Sequence, residues 1–168
     1  VKETNLLQTI QRQASSGALA NPKDRAELVA KIFQLQDEVG KLPQETGGLQ
    51  HHFSEGLYGR ELSLTKGTLI VGKIHKYKNL NIILKGRVTF FSIDGAYEVT
   101  APKVFVASPG VKRVIYAHED SIWMNVHATK ETDINKIEEE VIAKTFDSVE
   151  GISEEELKII KEALVCHG

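Results

Sequence analysis

The chain has little cysteine: Cys166 is the one example in 168 residues. A lone thiol closes no intrachain disulfide, so a disulfide-framed module is excluded, and burial and hydrogen bonding must hold the fold. A free thiol also points to a reducing compartment. Long apolar runs are missing as well. No stretch approaches the roughly 20 residues that span a bilayer. The polar start Val1-Lys2-Glu3-Thr4-Asn5 has no signal-peptide core, so the expectation is a protein without membrane spans that is not secreted by a signal peptide. A surplus of one charge is absent too. The 21 basic and 23 acidic residues leave a net charge of −2, which argues against a generic nucleic-acid surface. The single methionine is Met124, so the start is read as trimmed or processed. There is no Walker loop, CxxC, HExxH or GxSxG, and no internal repeat or low-complexity segment.

What is present is periodicity. Hydrophobic content is 41% and charged content 26%, ordinary for one globular domain with a real core. A short helix is expected over Glu3 to Ala14, followed by a turn-like Ala14-to-Ala20 stretch. Asn21-Pro22-Lys23-Asp24 then reads as a helix start: Asn caps, Pro takes the first position, and Asp lies at the positive end of the dipole. Leu28, Ile32, Leu35 and Val39 share one helix face, and Gly40 stops it. That face packs either on the chain's own barrel or against a partner helix. Gly47-Gly48 marks a loop. His51 and His52 are neighbours, so on a strand they face opposite sides and cannot serve one metal.

From Glu61 the period falls to 2. Leu62 and Leu64 share a face. The segment from Thr68 to Ile74 is nearly all apolar, as a strand covered on both faces would be, and Gly72 interrupts it. Leu80, Ile82 and Leu84 lie opposite Asn81, Ile83 and Lys85. Asp94-Gly95 is the strongest hairpin signal. The strand readings Lys103–Val106 and Lys112–Ala117 flank Ser108-Pro109-Gly110. In Ser121–Ala128, Trp123, Asn125 and His127 share one face, and Ile122, Met124 and Val126 the other. About eight short strands suffice for a small barrel.

Beyond Thr129 the helical period returns. Ile134, Ile137, Val141 and Ile142 form one apolar face. Ser153 with Glu156 is a capping box ahead of Leu157, Ile160, Ala163 and Leu164. The expected organisation is an N-terminal helical extension over 1–49, a barrel over 50–128 and C-terminal helices over 129–168. The acidic runs read as solvated faces and helix starts.

The stretch from Gly72 to Ala128 resembles the cupin superfamily. In the first cupin motif His75 fills the first His place and Tyr77 stands at the second. Asn79 or Asn81 stands at the Glu place, and Gly86 closes the motif. In the second, Ser108-Pro109-Gly110 is the turn and Arg113 stands where a His belongs. The resemblance covers roughly Glu61 to Ala128. It implies a mainly β protein, a single cupin-type jelly-roll barrel with flanking N- and C-terminal helices, and a homo-oligomer. One ligand of the family's four, His75, is kept.

A narrower resemblance is to small cupin-like proteins of tailed bacteriophages. It is carried by His51-His52-Phe53, Gly56, Tyr58, Gly72 to Lys76 and Leu80 to Ile82. Further along it is carried by Lys112 to Val114, Ala117 to Asp120 and His127-Ala128-Thr129. It implies a viral origin, and a place in the virion or in the cytoplasm of the infected host.

The retained residues set the chemistry. A guanidinium at the metal place repels a cation, so no cofactor or metal is favoured. A divalent ion, if bound, would use His75 and His127. The same set reads better as a pocket for a small polar or anionic ligand, with Arg113 gripping carboxylate or phosphate. His75, Tyr77, Asn79 and His127 would add hydrogen bonds, and Trp123 an apolar wall. Arg113 could otherwise pair with Glu119 or Asp120. Lys112 and Arg113, with Lys73, Lys76 and Lys78, form a candidate basic patch without the aromatics of a single-strand platform.

Two functions follow. The first is a non-enzymatic binding or assembly module with a degenerate metal site and a phage or host protein partner, its docking surface along Leu28, Ile32, Leu35 and Val39. The second is a cupin-type enzyme, metal-dependent or isomerase-like, with His75 and Tyr77 as the catalytic candidates. In some cupins a His base and a Tyr acid act on sugar nucleotides without a metal, and the resemblance extends that to this pair.

Overall fold

The structure is a computed structural model that describes residues 2–17, 19–44 and 48–166. Ala18 in the turn-like stretch and Gly47 of the Gly47-Gly48 loop lie outside the described residues. Two helices lead: α1 (Lys2–Ser15) and α2 (Pro22–Gly40). The α2 start is built as its residues imply. The Asn21 side chain accepts the Lys23 N–H at 2.8 Å, and Pro22 takes the first helical position.

Ten strands follow: β1 (Leu49–Ser54), β2 (Leu57–Leu64), β3 (Leu69–Val71), β4 (Ile74–His75) and β5 (Asn79–Lys85), then β6 (Arg87–Ser92), β7 (Gly95–Thr100), β8 (Lys103–Ala107), β9 (Val114–Ala117) and β10 (Ser121–Ala128). The chain closes with α3 (Ile134–Val141), the short β11 (Ile142–Ala143), a 3-10 turn over Phe146–Ser148, and α4 (Glu154–Cys166). One sheet has the order β1-β2-β10-β5-β8 and the other β3-β9-β6-β7, and every pairing is antiparallel. Strands distant in sequence are neighbours in both sheets. This is the jelly-roll arrangement.

The expected single strand through Gly72 is two strands. The Gly72 N–H donates to the Arg113 carbonyl at 2.9 Å, and the Lys112 ammonium donates to the Gly72 carbonyl at 2.8 Å. The first extends the β3–β9 register by one residue, and regular pairing with β9 ends there. The chain then re-pairs as β4 with β11, His75 opposite Ile142. Ile142, read above as part of a helix face, is therefore a strand residue. The hairpin turn is also one residue earlier than expected. Ser92 pairs with Gly95, so Ile93 and Asp94 form the loop, and Gly95 takes the left-handed conformation at φ 108°.

Three apolar clusters result, the smallest joining Tyr58 to Ile137 and Val141 of α3. Inside the barrel, Ile83, Val88, Phe90, Ile115 and Trp123 pack between the sheets. Outside the four-stranded sheet, Phe91, Ile93 and Val114 meet α1, α2 and α4. Leu28, Ile32 and Leu35 are at most 1% exposed there. The α2 face thus packs on the chain's own barrel, and the docking surface expected along it is corrected: those side chains are already buried. The candidate basic patch is corrected as well. Lys112 is buried over the Phe33 ring and donates to Gln36, while Lys73 pairs with Glu138. Cys166 is exposed and free. Among the described residues, no helix is long and apolar enough to cross a membrane.

Candidate functional site

The barrel interior has an apolar end and a polar end, and strand alternation produces both. On β10, Ser121, Trp123, Asn125 and His127 are buried while the residues between them are not. Cross-strand register lays partners beside each: Leu62 and Ile83 beside Trp123, Arg60 and Asn81 beside Asn125, Tyr58 beside His127. Moving along β10 from Trp123 to His127 therefore crosses from hydrocarbon to amide to imidazole.

Asn81 joins the two ends. Its side-chain oxygen accepts from the Trp123 indole N–H at 3.0 Å and from the Asn125 amide at 2.7 Å. Its own amide donates to the Asn79 side-chain oxygen at 2.9 Å. Asn81 is 0% exposed. Three asparagines and a tryptophan thus form one satisfied network in a dry site, which fixes each side chain's orientation.

Beyond the network lies the histidine pair. The rings of His75 and His127 stack with centroids 4.9 Å apart and planes 13° from parallel. Tyr58 stacks on the far side of His127, at 6.4 Å, and its hydroxyl meets His51 Nδ1 at 2.7 Å. His51 faces this layer, whereas His52 faces outward to Glu61 at 3.0 Å. The two neighbours split between faces as the strand period requires. Burial pushes His75 down to about 3, helped by His127, Arg113, Arg60 and Lys73. Burial, then Arg60, pushes His127 down to about 4. Both are neutral at pH 7.

Arg113 comes from the loop before β9. It alternates with Val114, which faces the helices, and so has the inward parity of Ile115. It is 8% exposed, and its Nε has no hydrogen-bond partner among the described residues. The acids expected to pair with it are engaged elsewhere: Glu119 with Arg87, and Asp120 with the Lys66 N–H. Electrostatically it reaches His75 and Tyr97, where it opposes the upward push that burial gives the phenol. His75 Nδ1 is the other buried atom without a partner. Both orphaned atoms belong to the polar end of the barrel.

These residues do not fit a metal ion. A shared ion must lie in the plane of each imidazole, about 2.0–2.1 Å from its nitrogen. Nearly parallel stacked rings have planes that meet far from both. No cluster of three His, Cys, Asp or Glu occurs among the described residues. Arg60, Arg113 and Lys73 add a positive field at His75.

The structure therefore brings together His75, Asn79, Trp123 and His127, with Arg113 within electrostatic reach. Tyr77 stands apart, 49% exposed on the turn between β4 and β5, where its carbonyl accepts from Asn79. Sequence reasoning overlooked Tyr58 and Arg60. Both were findable: in β2, Tyr58 and Arg60 have the parity of Leu62 and Leu64, which the sequence puts on one face.

No protein-family model matches the chain, and no curated protein sequence matches it. Solved structures do resemble it. One is a cupin-2 domain protein from Shewanella frigidimarina, at 13% identity and TM-score 0.42, covering 56% of this chain and 91% of that one. An RmlC-like cupin from the same organism matches at 18% identity and TM-score 0.43, covering 51% and 80%. KdgF from a Halomonas species matches at 14% and 0.43, covering 54% and 88%. By its own strand order and flanking helices, the chain is a mainly β protein with one jelly-roll barrel between N- and C-terminal helices.

Proposed function

We propose that the protein is a non-enzymatic binding module whose barrel takes a small anion, a carboxylate or phosphate, on Arg113. The supporting observation is that Arg113, 8% exposed, has a buried Nε without a partner and no ion pair among the described residues. A buried charge is costly unless it is paired, and removing a partner from such a charge costs about 3–5 kcal/mol. An anionic ligand supplies that partner, and a guanidinium receives it bidentately. His75 Nδ1, the second orphaned atom, adds one neutral hydrogen bond. The asparagine network behind it keeps the wall fixed. In this reading the setting is tailed-phage infection, on the strength of the shared wording alone.

Acid–base catalysis fits less well. An efficient general acid or base has its pKa near the working pH, and both histidines lie far below 7. Their rings also stack on each other, so no substrate group fits between them.

Self-association is part of the proposal, through the outer face of the five-stranded sheet. Its outward residues on β10, β5 and β8 are Ile122, Met124, Val126, Leu80, Ile82, Leu84, Val104 and Val106. These are apolar, with Val104 58% and Val106 61% exposed, and Lys85 lies beside Ile122 at the end of the patch. A face of this kind rarely stays in water. A second copy suits it, because an isologous contact needs a patch complementary to itself, and uncharged sheet faces pack on one another at about 10 Å.

The test of the anion site is thermal denaturation with inorganic phosphate or malonate at constant ionic strength. The midpoint rises for the native chain and stays level for Arg113→Gln. A native chain indifferent to both anions contradicts the proposal.

A further inference from the structure

A cavity of about 580 Å³ opens between α2 and the barrel edge formed by β2 and β3. It lies where the two sheets separate, since β2 and β3 belong to different sheets and share no ladder. Its floor is the rim of the barrel core: Leu62, Leu64 and Ile70. Its outer wall is the last turn of α2 and the segment after it, with Val39 and Leu42. Arg60 is the single charged residue of the lining among the described residues.

None of His75, Asn81, Arg113 and His127 borders this cavity. Arg60 stands between the two regions, beside Asn125 on one side and the cleft on the other. It has no ion pair or side-chain hydrogen bond among the described residues. The carbonyls at the end of α2, which would repel an anion, are occupied: the Gln44 amide donates to Val39 at 2.9 Å and to Leu42 at 2.8 Å. The cleft volume lies within the roughly 300–1,000 Å³ of small-molecule pockets, which are mostly apolar with a few placed polar groups.

We infer that this cleft binds a carboxylic acid with an extended apolar body, its carboxylate paired with Arg60 and its chain laid along Leu62, Leu64, Ile70 and Val39. One cation beside the apolar stretch of Leu62, Leu64, Ile70 and Val39 selects for that combination, with Gln36, Gln44, Ser63 and Thr68 also in the lining. A neutral alcohol of equal length leaves the guanidinium unpaired, and a cationic amphiphile meets repulsion. The inference is independent of the anion site at Arg113, because the two sites share no anchoring side chain.

The experiment is calorimetric titration of the full chain, in buffer holding inorganic phosphate to fill the Arg113 site, with decanoate, 1-decanol and decyltrimethylammonium. Decanoate is expected to bind saturably at one site per chain, about tenfold or more tighter than either control, as a charge-assisted contact requires. Arg60→Gln is expected to lose that advantage, its fold checked by circular dichroism. Intermolecular NMR contacts should join the decanoate methylenes to Val39 and Leu64. Decanoate failing to saturate, decanol binding as tightly, or Arg60→Gln keeping the native affinity would each overturn the inference. So would contacts that fall on Val104 and Val106, because they place the chain on the outer sheet face.

Discussion

His75 and His127 stack face to face inside the barrel, 4.9 Å between centroids, and both are held neutral. Their depressed values make stability pH-dependent with a fixed sign. The unfolded chain takes up protons near pH 6.5, while the folded chain resists down to about 4 at His127 and about 3 at His75. Stability therefore rises with pH across that window and is lost as pH falls below 6.5. At pH 5 each histidine costs roughly 2 kcal/mol relative to pH 7. Denaturant midpoints measured from pH 7 to pH 4 should fall steeply for the native chain and less steeply for His75→Phe. Equal midpoints at pH 7 and pH 5 would contradict the burial of the pair.

Arg113 should behave as a binding residue and not as a structural one. Replacing buried charge by hydrocarbon of similar volume is often stabilising, by about 1–4 kcal/mol. Arg113→Leu is expected to raise ligand-free stability by an amount in that range. A loss of several kcal/mol by chemical denaturation would instead assign Arg113 to the framework.

Asn81 is expected to be far less tolerant. Asn81→Leu removes the acceptor for Trp123 and Asn125 and the donor to Asn79 at once. Buried groups left without partners cost about 1–3 kcal/mol each, so destabilisation of at least ~3 kcal/mol is expected from urea unfolding. A change below 1 kcal/mol would show that the network contributes nothing net.

The outer sheet face predicts a dimer. Sedimentation equilibrium of the native chain should give twice the chain mass. The double substitution Val104→Glu with Val106→Glu should give the single mass with an unchanged circular dichroism spectrum, since both side chains point outward. A monomeric native chain would remove self-association from the proposed function.

The sequence carried most of this architecture where a period was long enough to read. The face split of β10 was legible in full, because eight alternating residues leave one solution. The α2 cap was legible because Asn21-Pro22 has one local reading. The break at Gly72 was not, because the partners of its backbone, Lys112 and Arg113, lie some 40 residues away. The stacked pair was half legible. His127 faced inward by period, but its meeting with His75 depends on β4 joining β11, a ladder of two residues with no signal of its own. Gly86, matched to the closing glycine of the first cupin motif, has a local reason to be glycine. At φ 82°, an added Cβ would lie 2.6 Å from the Asp120 carbonyl oxygen.

The most direct test of the anion site follows the Arg113 Nε–H itself by nitrogen-15 NMR, assigned by its disappearance in Arg113→Gln. Phosphate and malonate are titrated at constant ionic strength, with chloride as the reference. A saturable shift of that resonance, with the His75 ring signals moving in step, is the predicted result. A resonance that stays fixed under both anions would contradict a counter-ion site at Arg113.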